Sequence, residues 1–257
     1  MSEGSSAMRF EGRVLLCTGG GSGIGEEVSR RFTRDGGRVA VVDINGESAV
    51  HVASGLEGGI GIEADISDEQ AVIAAVERTV DELGPITSVY NGAGNLATGT
   101  IDEVTVAQFK SMIDVHMIGT MVVCREALKS MRTVEGGSIV NTASVVALIA
   151  RHTLAPYGAV KGGVLAFSRQ LALEVAPRIR VNSVSPGRTV TGMTRPLYTE
   201  LGGGDLEKGM LEAGKEVPLG RVAAPSELAA AICFLLSDDA SYISGTDLVV
   251  DAGMTAV

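Results

Sequence analysis

What this chain lacks narrows its function before any motif is read. Lysine occurs only at positions 110, 129, 161, 208 and 215, and Lys plus Arg total 21 against 31 Asp plus Glu, a formal net charge of −10. That balance argues against nucleic acid or an anionic membrane surface as a partner. Cysteine is scarce: Cys17, Cys124 and Cys233 are far apart, odd in number and without CxxC spacing. They predict reduced interior thiols of a cytoplasmic protein. His51, His116 and His152 are equally scattered, so no metal site is expected. No apolar stretch approaches the roughly 18 residues of a membrane span. Met1 to Phe10 lacks the basic start and long apolar run of a signal peptide.

What is present is a globular composition, 45% hydrophobic and 20% charged over 257 residues, a length suited to one large α/β domain or two small ones. Short β-branched runs alternate with longer stretches of helical period. Val14–Cys17, Arg38–Val42, Ile60–Ala64, Ile86–Tyr90, Ser138–Asn141, Arg180–Val184 and Asp247–Val250 read as strands, mostly apolar on both faces, as parallel strands covered by helices should be. Ile24–Arg34, Gly46–Gly55, Asp68–Leu83, Val104–Met131, Tyr157–Val175 and Ser226–Leu236 read as helices, with Ser67 as an N-cap and Gly84-Pro85 as a stop. The alternation predicts one domain over 1–257: a doubly wound, Rossmann-type parallel sheet of about seven strands with helices on both faces. Only Gly187 to Pro218 escapes it, a long insertion containing Gly202-Gly203-Gly204. Such a segment predicts a flexible lid over residues 188–217.

Two local patterns carry chemistry. Thr18 to Gly25 places Gly19, Ser22, Gly23, Ile24 and Gly25 between a strand and a helix, where glycines let backbone approach a pyrophosphate at the helix N-terminus. The second strand ends at Asp43, a carboxylate able to accept from both hydroxyls of an adenosine ribose and to repel a 2′-phosphate. Neither Ser22 nor Ile44 offers a cation, so NAD is favoured over NADP. Farther on, Tyr157 and Lys161 are spaced to share a helix face, thirteen residues after Ser144. An ammonium near a phenol favours the phenolate; bringing the reference value of about 10 to neutrality takes about 4 kcal/mol. A tyrosine tuned that way can exchange a proton with an alcohol.

In order along the chain, these segments resemble the motifs of the classical short-chain dehydrogenases/reductases. Besides the glycine motif, Asp65-Ile66 resembles the pair beside the adenine. Asn91-Gly92-Ala93-Gly94 resembles the segment that supports the central strand and passes the cofactor. Pro186-Gly187-x-Thr189-x-Thr191 resembles the segment at the nicotinamide carboxamide and phosphates. The resemblance implies Ser144, Tyr157 and Lys161 as the catalytic serine, tyrosine and lysine, NAD as cofactor, a homotetramer, and interconversion of a secondary alcohol and a ketone. Its alternatives are a 3-oxoacyl thioester reductase of the same family and a non-catalytic NAD-binding sensor. Leu96, Val146, Leu154, Val190, Met193, Leu197 and Tyr198 are expected near a hydrophobic substrate, with Arg151, His152 and Arg188 at the mouth either as solvated cations or as partners of a substrate carboxylate. One position departs from the family. His116 stands where a catalytic asparagine is usual, and is expected either to pack in the interior or to add its own titration to a proton relay.

Overall fold

The computed structural model describes residues 8–256. The reading of Met1 to Phe10 therefore falls mainly outside the described residues, as does Val257. Seven strands form one parallel sheet: β1 Val14–Thr18, β2 Arg38–Asp43, β3 Gly59–Glu63, β4 Ser88–Asn91, β5 Gly137–Thr142, β6 Ile179–Pro186 and β7 Asp247–Val250, in the order β3-β2-β1-β4-β5-β6-β7. Alternate residues of each strand face opposite layers. Val14, Leu16, Ala40 and Val42 join a core with helices α3 (Glu69–Leu83), α5 (Thr120–Met131) and α6 (Ala155–Val175). Leu15, Cys17, Val39 and Val41 join another with α1 (Gly23–Arg34), α2 (Gly46–Ser54) and α9 (Pro225–Leu236). Burial on both faces is why these strands read as continuous apolar runs. β1 pairs with both β2 and β4, so the winding reverses there and leaves a crevice at the carboxyl ends of the central strands.

Three readings need correction. The cap of α3 is Asp68, whose side chain accepts from Gln70 N–H at 2.9 Å, while the Ser67 hydroxyl donates to Asp65 Oδ1 at 2.7 Å. The segment Val104–Met131 is not one helix. It comprises α4 (Val106–Ile113), started by a Thr105–Gln108 capping box, then a π-helical turn Asp114–Gly119, then α5. The 188–217 insertion is not devoid of regular structure: it holds α7 (Arg195–Leu201) and α8 (Leu206–Gly214), joined by the Gly202–Gly204 turn. These two short helices share a small core of Tyr198, Ala213 and Val222. Each is below the length at which a helix is stable alone, so this mutual packing sustains them.

Candidate active site

The crevice is a cleft of about 1260 Å³ walled by the segments that follow β1, β2, β3, β4, β5 and β6. At its nucleotide end, the loop after β1 leads directly into α1. Ser22 makes no capping hydrogen bond, so the first-turn N–H groups of α1 have no side-chain acceptor. A Cβ on Gly25 would lie 2.1 Å from Gly19 O, and one on Gly19, at φ +65°, would lie 2.6 Å from Ala93 N. The loop is thus pressed between its own helix and the segment after β4, with room only for backbone. Asp43 closes this end, its Oδ2 accepting from Gly21 N–H and its Oδ1 from Asn45 N–H, both at 3.0 Å. Ser22 and Ile44 line the cleft beside it, and both are exposed. The open helix terminus and the side-chain-free cradle together fit the pyrophosphate of a nicotinamide dinucleotide, with the Asp43 carboxylate beside them.

At the other end, β5 runs into Ser144, which is extended (φ −171°) and starts the short 3₁₀ turn Val145–Ala147. Tyr157 stands on the first turn of α6 and Lys161 one turn later. Lys161 is 3% exposed, and its Nζ donates to Thr142 O at 2.7 Å and lies 5.7 Å from the centre of the Tyr157 ring. Burial pushes the Tyr157 phenol up and the Lys161 ammonium down, to about 7. For the protein by itself this runs against the expectation that the nearby ammonium lowers the tyrosine. Desolvation penalises both charged forms, and in the protein by itself it outweighs their mutual attraction.

Of the site residues expected from the sequence, Ser144, Tyr157, Lys161, Gly19, Ser22, Gly23, Ile24, Gly25, Asp43, Ile44, Asp65, Ile66, Gly92, Ala93, Pro186, Gly187, Thr189 and Thr191 all line the cleft. Asn91 does not. It is 3% exposed, and its Nδ2 donates to Asn141 Oδ1 at 2.8 Å and to Cys124 Sγ at 3.3 Å, so it ties β4 to β5 beneath the floor. A residue on a strand cannot turn outward when its side chain is on the core face. On the substrate side Leu96, Val146, Leu154, Met193, Leu197 and Tyr198 line the cleft, whereas Val190 turns into the small core of the lid. His152 is exposed and away from it. Arg151 and Arg188 do line it, Arg151 exposed and Arg188 half-buried, and both face Glu216: Arg151 Nη1 at 3.8 Å and Arg188 Nη2 in direct hydrogen bond.

Other lining residues went unnoticed in the sequence, among them Tyr90, Asn95, Thr142, Glu200 and Met254. Thr142 and Tyr90 lie at or next to carboxyl ends of predicted strands, a position that could have flagged them. Thr142 Oγ1 donates to the Tyr90 hydroxyl at 2.9 Å. Met254 had no such signal; tertiary folding brings it against Val145 and Val217. Among the described residues, no group of three or more His, Cys, Asp or Glu is arranged to hold a metal ion.

Comparison with known proteins places these features in a family context. A family model described as Enoyl-(Acyl carrier protein) reductase matches residues 19–255. A D-threitol dehydrogenase of Mycolicibacterium smegmatis is 36% identical, over 96% of this chain and 94% of its own. A meso-2,3-butanediol dehydrogenase of Serratia marcescens is 34% identical, over 97% of each. A crystal structure of levodione reductase superposes with a TM-score of 0.89 at 32% identity, covering 97% of this chain and 100% of that one.

Proposed function

This chain belongs to the classical short-chain dehydrogenase/reductase family, oxidoreductases of CH–OH groups, and from that membership we propose that it is an NAD(H)-dependent enzyme interconverting a secondary alcohol and a ketone on a largely apolar small molecule. The observation that carries the reading is the convergence of Ser144, Tyr157 and Lys161 on the wall of the same cleft whose far end is closed by Asp43. The first turn of α1 would hold the pyrophosphate, Asp43 the adenosine ribose, Asp65 and Ile66 the adenine, and the Pro186–Thr191 segment the nicotinamide end. When bound, oxidised nicotinamide supplies the hydride acceptor and a positive charge that lowers the Tyr157 pKa. Ser144 holds the substrate oxygen by hydrogen bond. Tyr157 takes the hydroxyl proton during oxidation and returns it during reduction. Lys161, anchored on Thr142 O, stabilises the phenolate once it forms.

Asp43 supports NAD over NADP, because an acceptor-only carboxylate at that place repels a 2′-phosphate and no cation stands at Ser22 or Ile44 to offset it. The 3-oxoacyl-[acyl-carrier-protein] reductase of Homo sapiens, 36% identical, keeps thioester reduction as the second reading. A non-catalytic sensor is disfavoured by retention of all three catalytic residue types. Exposed Ile118, Met121 and Leu173 on neighbouring helical surfaces support a homotetramer, testable by mass measurement in solution. Three buried free cysteines support a cytoplasmic setting, and among the described residues no helix is long and apolar enough to cross a membrane.

The direct test is a thermal-shift titration with NADH and NADPH, followed by nicotinamide absorbance across a panel of secondary alcohols and ketones. Stabilisation by NADH alone with turnover of a panel member is the expected result. Preference for NADPH would overturn the assignment of Asp43. Binding without turnover of any member would favour the sensor.

A further inference from the structure

We propose that His116 is a positioning residue for Tyr157: its imidazole locks the Gly94-Asn95 loop to the π-helical turn and sets the tyrosine ring by an edge-to-face contact. The proposal rests on the reading of Tyr157 as the proton-transfer group. It assigns a role to a side chain at a position where this chain departs from its family.

The π turn determines where the imidazole points. Within Asp114–Gly119, His116 and Gly119 are buried while Met117 and Ile118 are exposed. A single π-bulge of this kind re-aims side chains without ending the helix. The ring, 2% exposed, is then held on three sides. Its Nε2 lies 2.7 Å from Asn95 O and 3.2 Å from Asn95 N. One nitrogen cannot serve both, and the shorter distance assigns an Nε2–H donating to the carbonyl. A Cβ on Gly94 would come within 2.4 Å of His116 Cε1, so the imidazole occupies the space a side chain at 94 would need. The third neighbour is Tyr157, with ring centres 5.6 Å apart and planes at 78°. That geometry sets the positive edge of one ring against the face of the other.

Tyr157 needs such support. It stands at the start of α6, whose N-cap Leu154 makes no capping bond, and just after Thr153, which has a left-handed φ of +64°. Among the described residues, no hydrogen bond holds the Tyr157 hydroxyl. Its ring is fixed instead by the His116 contact and by Lys161 5.7 Å from its centre. Burial, with Lys161 nearby, lowers the His116 pKa to about 3. The imidazole is therefore neutral at working pH, and its role is geometric rather than a second titration in the relay.

The test compares His116→Leu, which keeps bulk but loses both the hydrogen bond and the polar ring edge, with His116→Asn, which keeps a group able to bond Asn95. For H116L, kcat falls roughly tenfold to a hundredfold, the scale of misplacing a reacting group. KM for the ketone and stabilisation by NADH stay within about threefold, and the pH profile of kcat/KM shifts as the setting of Tyr157 against Lys161 is lost. H116N, which can regain the bond to Asn95 but not the ring contact, loses less kcat than H116L and stays within about tenfold of wild type. Independently of activity, Gly94→Ala lowers Tm strongly in the wild-type background and less in the H116N background, a non-additivity that reports the shared space. Wild-type kcat and an unshifted pH profile in H116L, whatever its Tm, would overturn the proposal and leave His116 a packing residue. Should H116L not fold, His116→Ala is measured in its place against the same outcomes. Tyr157→Phe separates the two levels. If it retains turnover, the functional reading fails; if it is inactive while H116L has wild-type kcat and profile, only the role of His116 fails.

Discussion

The two ends of the cleft are made of different material. The nucleotide end is chiefly backbone: a loop with no room for side chains, an open helix terminus, and one carboxylate fixed by two N–H groups. The substrate end is chiefly side chain: apolar residues from four segments, two arginines sharing Glu216, and a lid of two short helices. The difference has a physical origin. Pyrophosphate and ribose present the same donors and acceptors in every nucleotide, so fixed backbone dipoles can meet them. A substrate that differs between relatives must be met by side chains on connections that can vary without disturbing the sheet.

That contrast can be broken or sharpened by experiment. The largest effect is expected where the two ends meet: Tyr157→Phe should reduce kcat by about three orders of magnitude or more, with NADH stabilisation unchanged in a thermal-shift assay. Equal loss of NADH binding would mean that the ends are not separable. Next, Asp43→Asn should lower the NADH-over-NADPH preference in kcat/KM by about tenfold to a hundredfold, the worth of one charge-assisted contact and its repulsion. No change would remove Asp43 from recognition.

The catalytic wall should also carry a pH signature that the nucleotide end lacks. His116 has a folded pKa of about 3 against an ordinary 6.5. As pH falls from 7 to 5 the unfolded chain takes up a proton that the folded chain refuses, so wild type should lose about 2 kcal/mol relative to H116N in denaturant melts. Lys161, lowered to about 7 from 10.5, accumulates its penalty as pH falls from about 10.5 to 7 and carries it almost in full below that, so this window changes it little. Parallel stability curves for the two proteins would contradict the buried, neutral histidine. The smallest effect is expected at the rim. Glu216→Gln frees Arg151 and Arg188, and should raise kcat/KM for carboxylate-bearing ketones a few-fold over matched neutral ones, the scale of partly exposed charges. An equal response to both would show that these arginines serve the lid alone.

Legibility in the sequence followed the same division. Strand positions emerged within a residue or two because buried β-branched runs have few other uses, and the glycine loop did because only glycine fits against Gly19 O and Ala93. Asn91 is expected at the cleft because Asn91-Gly92-Ala93-Gly94 resembles the family segment that passes the cofactor; the pleat of β4 directs its side chain to Asn141 instead. The break at Asp114 left no trace, since moving from one hydrogen-bond spacing to the next changes no composition. The lid helices were hidden by glycines and by their length, and they exist through contact with each other.

The sequence by itself therefore determined what local rules can encode: the alternation that makes a parallel sheet, the glycines that admit a phosphate, the carboxylate at the end of β2, and the spacing that puts Tyr157 and Lys161 on one face. Tertiary structure alone decided how those groups are tuned. Burial reversed the expected direction for Tyr157, while the meeting of distant segments brought Arg151 and Arg188 onto Glu216 and set His116 between Asn95 and Tyr157. These outcomes depend on desolvation and on contacts between segments remote in the chain, and neither is a property of any short stretch of residues.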